Sequence, residues 1–244
     1  MTSLIVITRP PDQARPIADA LTARGYATLI EPMLRIVPLA ATLPPQGAYR
    51  ALAFTSANGV QAFADLSPER ELPAFAVGEA TAVALRERGF RDVRVARGDA
   101  VALADLIQEA VHAGETVLHV SGRAIAKDLG DLLAPAGIGV PRVALYDAEP
   151  ARTLSPELVS ALYARTLDCV LFFSARTAHI FGTLVKERGF DSMVTSATAL
   201  CLSEAVAAEA RALPWRTIAV AARPTVDSLL AFLPDAARSG KDGQ

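Results

Sequence analysis

The chain has 244 residues, of which 52% are hydrophobic and 20% charged. That is enough apolar material for one large domain or two small ones, and it excludes a disordered class. The net charge of -2 supplies no global basic field for nucleic acid, so an anionic ligand must be held by local arginines or backbone N–H groups.

The first apolar run, Leu4–Ile7, reads as a short strand ending at Thr8-Arg9-Pro10. It is too short, and lacks the basic flank, for a secretion signal. From Ala14 to Arg24, Ile17, Ala18 and Leu21 recur at helical spacing, and Gly25 stops the helix. Ala27–Ile30 is a second strand, closed by Glu31-Pro32. The beat continues through expected strands Ala51–Phe54, Ala74–Val77, Val93–Val95, Val117–Val120, Val140–Tyr146, Cys169–Phe173, Ala199–Leu202 and Thr217–Val220. Helical patterns lie between most of them, several ending at Gly89, Gly137 or Gly189. Short apolar strands alternating with helices predict an α/β protein whose parallel sheets are covered on both faces. Cys169 and Cys201 fall inside apolar runs and read as buried thiols. His119 falls in a strand, and His112 and His179 in helices; none has metal-ligand spacing. The polar end, 236–244, is expected to fray. No apolar run reaches the roughly 18 residues of a spanning helix, so a soluble cytoplasmic protein is expected.

Two stretches spell nearly the same thing. Leu52-Ala-Phe54-Thr-Ser56-Ala57-Asn58, with Phe63 and Leu66 following, matches Val170-Leu-Phe172-Phe-Ser174-Ala175-Arg176 with Phe181 and Leu184. Val95-Ala96 with Val101 matches Val220-Ala221 with Val226, and Glu79-Ala80 matches Glu204-Ala205. A unit this long is a domain rather than a solenoid repeat, and two similar domains are expected to leave a cleft for a small molecule. The first copy begins near Ala51, yet two strands precede it that have no counterpart directly before Cys169. If each domain needs about five strands, the second copy must recruit Leu4–Ile7 and Ala27–Ile30. The chain then runs from one discontinuous domain (1–36 plus 147–244) into an inserted one (40–142) and back. Segments 36–39 and 143–146 would cross as a two-stranded connector.

In open parallel sheets, ligands bind beyond the C-terminal strand ends. That rule selects Thr8 and Arg9, Thr55 to Asn58, Gly78 and Thr81, Ser121 to Arg123, Ser174 to Thr177, and Ser203. These loops hold hydroxyls, small residues and arginines at helix starts, but no His, no Cys and no carboxylate pair. Capping alone explains any single serine. Several such loops together point to a ligand with several carboxylates or phosphates. The chain has no Gly-x-x-x-x-Gly-Lys-Ser/Thr loop, no Gly-x-Gly-x-x-Gly after a strand and no Gly-x-Ser-x-Gly elbow. Tyr146 ends an expected strand at the connector, where its phenol would donate a proton or hydrogen bond, or else pack as an amphipathic interface residue.

Four segments resemble the uroporphyrinogen-III synthase family. They are Ile7-Thr8-Arg9-Pro10 followed by a helix, Gly25 and Pro32; Phe54-Thr55-Ser56 with Asn58-Gly59-Val60; Val77-Gly78 with Ala80-Thr81-Ala82 and Leu85; and Gly122 with Lys127 and Leu129, leading to Val143 and Tyr146. Each is loose alone, but their order and spacing are specific and span essentially the whole chain. The resemblance implies two similar flavodoxin-like domains with parallel five-stranded sheets, joined by a two-stranded β connector. It implies a cyclising carbon–oxygen lyase of porphyrin and heme biosynthesis. The linear tetrapyrrole hydroxymethylbilane, with eight carboxylates, closes with inversion of ring D and loss of water, without metal or organic cofactor.

Hydroxymethylbilane also closes unaided, without the inversion, so the family's task is orientation. Hydroxyl departure leaves a cationic azafulvene and needs an acid; a spiro intermediate then fragments and recloses. By resemblance Tyr146 assists that departure. Carboxylates would fall to Ser56, Ala57 and Asn58, to Ser174, Ala175, Arg176 and Thr177, and to Gly122 and Arg123. Thr81 matches a position lining the family's cleft, and Arg9, Arg123, Lys127 and Arg176 would neutralise charge. The chain departs from the family at Ser203-Glu204-Ala205-Val206, where Gly and Thr are frequent and only the Ser203 hydroxyl remains, and at Asp147-Ala148, where Thr is more usual. Implied partners are the tetrapyrrole substrate and a transient contact with the preceding pathway enzyme, with neither nucleic acid nor membrane. A different class also fits twin domains without familiar catalysts: a binding protein that closes on an anionic small molecule. A phosphosugar enzyme lacks its phosphate loop and general base.

Overall fold

The computed structural model describes residues 4–96, 98–125 and 127–233; the tail expected at 236–244 lies outside them. The chain forms two compact units, one from Met1–Arg35 with Glu149–Gln244 and one from Ile36–Ala148.

The first unit is built on β1 (Leu4–Ile7), β2 (Ala27–Ile30), β9 (Leu167–Phe172), β10 (Thr198–Cys201) and β11 (Thr217–Val220), in the spatial order β11-β10-β9-β1-β2. Every pairing is parallel. One face of the sheet is covered by α6 (Pro156–Tyr163), α7 (Ala175–Glu187) and α8 (Glu204–Ala210), through Leu158, Phe181 and Val206. The other is covered by α1 (Pro11–Ala23) and α9 (Val226–Leu230), through Ile17, Leu21 and Leu229. Three side-chain hydrogen bonds here join segments distant in sequence. Thr8, fully buried, donates its Oγ1–H to Leu171 O at 2.7 Å. The buried Glu31 carboxylate accepts Ser155 N–H at 2.8 Å and Ser155 Oγ–H at 2.5 Å, at the start of α6.

The second unit contains β3 (Leu34–Pro38), β4 (Ala51–Phe54), β5 (Ala74–Ala76), β6 (Val93–Val95), β7 (Val117–Gly122) and β8 (Arg142–Pro150), in the order β3-β8-β7-β4-β5-β6. Helices α2 (Ala57–Leu66) and α3 (Glu79–Glu87) cover one face, and α4 (Ala100–Gln108) and α5 (Leu129–Leu133) the other. β3 and β8 both straddle the boundary between units. Leu39 N–H donates to Leu145 O, and Ala151 N–H to Met33 O, so the two strands run antiparallel.

The repeated segments are structurally equivalent. Phe54 and Phe63 meet edge to face at 5.7 Å, and Phe172 and Phe181 at 5.3 Å. Ser56 Oγ accepts the N–H of Gly59 at 3.1 Å, and Ser174 Oγ that of Thr177 at 3.2 Å. With β4 matched to β9, the two sheets share one spatial order in different chain orders. The pair beside β9 is β1–β2, which precedes it in the chain; the pair beside β4 is β7–β8, which follows it.

Several expectations are corrected. The inserted unit's sheet has six strands, not five, because β8 pairs in parallel with β7 and brings β3 as an antiparallel edge. The strands expected at 36–39 and 143–146 are therefore part of that sheet rather than a separate connector. β8 runs on to Pro150, so Tyr146 lies within a strand, not at its end. β7 includes Ser121 and Gly122. His112 lies in the loop after α4, where its N–H donates to the Glu115 carboxylate at 2.9 Å and the chain turns through Gly114. Gly89 and Gly189 do follow helices, in the left-handed conformation that closes them.

Candidate functional site

In the second unit, β4 stops at Phe54 and α2 starts at Ala57. Between them Ser56 adopts extended backbone and caps α2 through its hydroxyl. The same Oγ lies 2.7 Å from Tyr146 Oη. Tyr146 belongs to β8, and β7 lies between β8 and β4. Its ring therefore has to cross β7, and the residue paired with it there is Gly122. A Cβ on Gly122 would stand 2.8 Å from Tyr146 Cζ and 2.9 Å from Cε2, closer than real Cβ contacts come. Glycine is thus required under the ring. The pairing also slips between Ser121 and Gly122, placing one extra residue on β8 and turning Tyr146 toward β4. Tyr146 as a whole is 9% exposed.

Arg142 fixes the seat beneath that ring. Its Nε donates to Ser121 Oγ at 2.8 Å, and its NH2 to the carbonyls of Gly122 at 2.8 Å and Arg123 at 2.5 Å. Arg123 N–H donates to Tyr146 O at 2.8 Å, and Arg123 Nε pairs with Asp147 Oδ2 at 3.2 Å. His119, fully buried on β7, approaches Thr55 Oγ1 at 3.5 Å through Nε2, while its Nδ1 has no hydrogen-bond partner. Burial and, next, the Arg142 charge push its pKa down to about 4.

In the first unit, Arg9 follows β1 and stacks over the Phe173 ring, its Cζ 4.2 Å from the ring centroid. Burial lowers its pKa, and among the described residues no carboxylate pairs with it. Ser174 caps α7; Thr177 is buried, and its Oγ1–H donates to Ser174 O at 2.9 Å. Ser203 precedes α8 without a side-chain capping bond. Among the described residues no cluster of His, Cys, Asp and Glu could hold a metal ion, and no helix is long and apolar enough to cross a membrane.

A family model described as HEM4, uroporphyrinogen-III synthase HemD, matches residues 15–231. The chain belongs to the uroporphyrinogen-III synthase family. A protein named uroporphyrinogen-III synthase from Chlorobaculum parvum is 29% identical over 189 residues, which cover 72% of this chain and 77% of that protein. The crystal structure of uroporphyrinogen-III synthetase from Helicobacter pylori aligns with a TM-score of 0.65 at 20% identity, over 95% of this chain and 98% of that one. A mutant uroporphyrinogen III synthase from Thermus thermophilus aligns with a TM-score of 0.51 at 16% identity, over 95% and 97%. These two likenesses concern the fold.

Against the uroporphyrinogen-III synthase motifs, the structure brings Ser56, Gly122 and Tyr146 into contact and places Arg123 beside them, already paired. Ala57 and Asn58 form the first turn of α2, as Ala175 and Arg176 do in α7. Thr81, in the first turn of α3, is buried at 4% exposure. Lys127 is exposed; its charge adds to the backbone bonds from Val101 and Ala102 that hold the Asp99 carboxyl below its usual range. The sequence reading missed Arg142 and the pairing of Asp147. Arg142 looks like an ordinary strand residue, and no local pattern marks acceptors 19 to 21 positions away.

Proposed function

We propose that this chain is a cofactor-free cyclising hydro-lyase that converts hydroxymethylbilane to uroporphyrinogen III with inversion of ring D. The family match along most of the chain supports the reaction class, in line with tetrapyrrole biosynthesis. The observation that carries the mechanism is the buried Tyr146 phenol held over Gly122 with its hydroxyl on Ser56. The phenolic O–H is a proton source that can serve a departing hydroxyl. Around it, the first-turn amides of α2 and the guanidinium of Arg123 are donors suited to substrate carboxylates. In the first unit, Arg9 and the starts of α7 and α8, with Ser174 to Thr177 and Ser203, are a second set of such donors. The order β11-β10-β9-β1-β2 is the flavodoxin-like 2-1-3-4-5 order read from its far edge, which supports that description of the first unit.

Fresh hydroxymethylbilane incubated with the protein and resolved as oxidised uroporphyrin isomers tests the reading. Isomer III is the expected product, and isomer I at the rate of the unassisted reaction refutes it in favour of a protein that only binds the anion. Tyr146→Phe is expected to lower kcat by roughly a hundredfold; an unchanged kcat removes Tyr146 from the chemistry.

A further inference from the structure

We propose that Ser56 is a positioning residue that acts through Tyr146. Its hydroxyl donates to the phenolic oxygen and holds the negative charge left there when Tyr146 gives up its proton. The inference rests on the acid role of Tyr146 proposed above.

Ser56 Oγ has one proton and two lone pairs. One lone pair accepts Gly59 N–H at 3.1 Å. The 2.7 Å contact with Tyr146 Oη takes either the second lone pair or the proton. The two directions give Ser56 two exclusive roles. If Tyr146 donates into Ser56, the phenolic proton is engaged and the serine proton is free to meet a substrate carboxylate. If Ser56 donates, the phenolic proton is free for the departing hydroxyl. Ser56 then presents only a lone pair, which a carboxylate cannot use.

Three features favour the second direction. Accepting Gly59 N–H polarises the Ser56 hydroxyl and makes it a better donor. Helix α2, ten residues long, places its positive end at Ser56, where it supports negative charge on the oxygen that Ser56 contacts. Ser56 is also the one hydrogen-bond partner of Tyr146 Oη among the described residues. A phenolate has no proton to give, so once Tyr146 has acted the bond can run only from Ser56. In that step the C–O bond of the hydroxymethyl group breaks and its electron pair leaves with the oxygen. The phenolic proton joins that oxygen, and water departs. The proton shed when the closed ring regains aromaticity returns to Tyr146.

Ser56→Gly removes the hydroxyl with a residue tolerated at helix starts, and Ser56→Thr keeps it. Ser56→Gly is expected to lower kcat roughly ten- to hundredfold at nearly constant KM, with Ser56→Thr retaining most of the rate. Adding Ser56→Gly to Tyr146→Phe should cost little more. A raised KM at constant kcat, or a full further loss in the Tyr146→Phe background, overturns the proposal and returns Ser56 to carboxylate binding. The ring Cζ resonance of labelled tyrosine, assigned by its absence in Tyr146→Phe, reads the contact without turnover. It should move in Ser56→Gly and hold in Ser56→Thr, and an unmoved resonance in Ser56→Gly also overturns the proposal. Full activity of Tyr146→Phe is a separate outcome, which refutes the acid role while the resonance still reports the pairing.

Discussion

His119 is neutral in the folded chain down to about pH 4, because burial and the nearby Arg142 charge disfavour the imidazolium. In an unfolded chain the same imidazole titrates near 6.5. Between those values the unfolded state binds a proton that the folded state does not, so stability is fully present above pH 6.5 and is lost as pH falls toward 4. The loss between pH 8 and pH 5 should be about 2 kcal/mol, and His119→Leu should remove that part of the pH dependence, as read from urea midpoints at the two pH values. A native protein and a variant with parallel pH profiles would contradict this. Nothing in the sequence around His119 announces its unpartnered Nδ1, because the groups that act on it, Thr55 and Arg142, come from elsewhere in the chain. Ser56 and Ser174 are different. Each was legible, since its cap, its helix and its aromatic pair all lie within one short segment. Tyr146 and Gly122 were marked by their place in a family pattern, but their contact depends on a strand pairing and a bulge that no local spacing encodes.

At the scale of single elements, the helix starts separate capping from availability. Ser174 accepts the N–H of Thr177 and lies 3.1 Å from its hydroxyl. Ser203 makes no such bond. Ser174→Ala should therefore destabilise the first unit by about 1 kcal/mol, whereas Ser203→Ala should stay within a few tenths. Both changes report on the same unit, so their urea midpoints compare directly, and equal shifts would disprove the distinction. Element type was read well from period and punctuation: apolar runs gave strands, and glycines after helices gave stops. Element ends were read less well. β8 extends past Tyr146 through Asp147 and Glu149 because β3 lies beside it, and strand pairing is a tertiary fact.

Every cluster of buried side chains described above belongs to a single unit. At the point where the first unit is interrupted, Ala151 N–H donates to Met33 O at 3.0 Å and Arg35 pairs with Glu149 at 2.6 Å. The two chain ends left by removing residues 36–148 are thus already neighbours, and a short glycine linker should join them. The joined unit should show a cooperative urea transition and native-like circular dichroism, and no cyclising activity, since Tyr146 is gone. A non-cooperative, unfolded product would show that the first unit cannot stand on its own core. The discontinuous path was legible because five strands had to be found for the second copy. What escaped was the sharing of β3 and β8 with the inserted sheet, since a strand's sheet membership depends on neighbours contributed from elsewhere in the chain.

The order in which β1 and β9 occur in the chain sets a timetable for synthesis. Thr8 and Leu171, hydrogen-bonded at the centre of the first sheet, are 163 residues apart. As the polypeptide leaves the ribosome, β1 and β2 emerge early but wait for the strand that belongs beside them. The inserted unit, complete in one stretch, is the first able to close its sheet. Until β9 arrives, one flank of the nascent β1 stays uncovered, a template for stray pairing whose exposure lasts as long as translation of the middle of the chain.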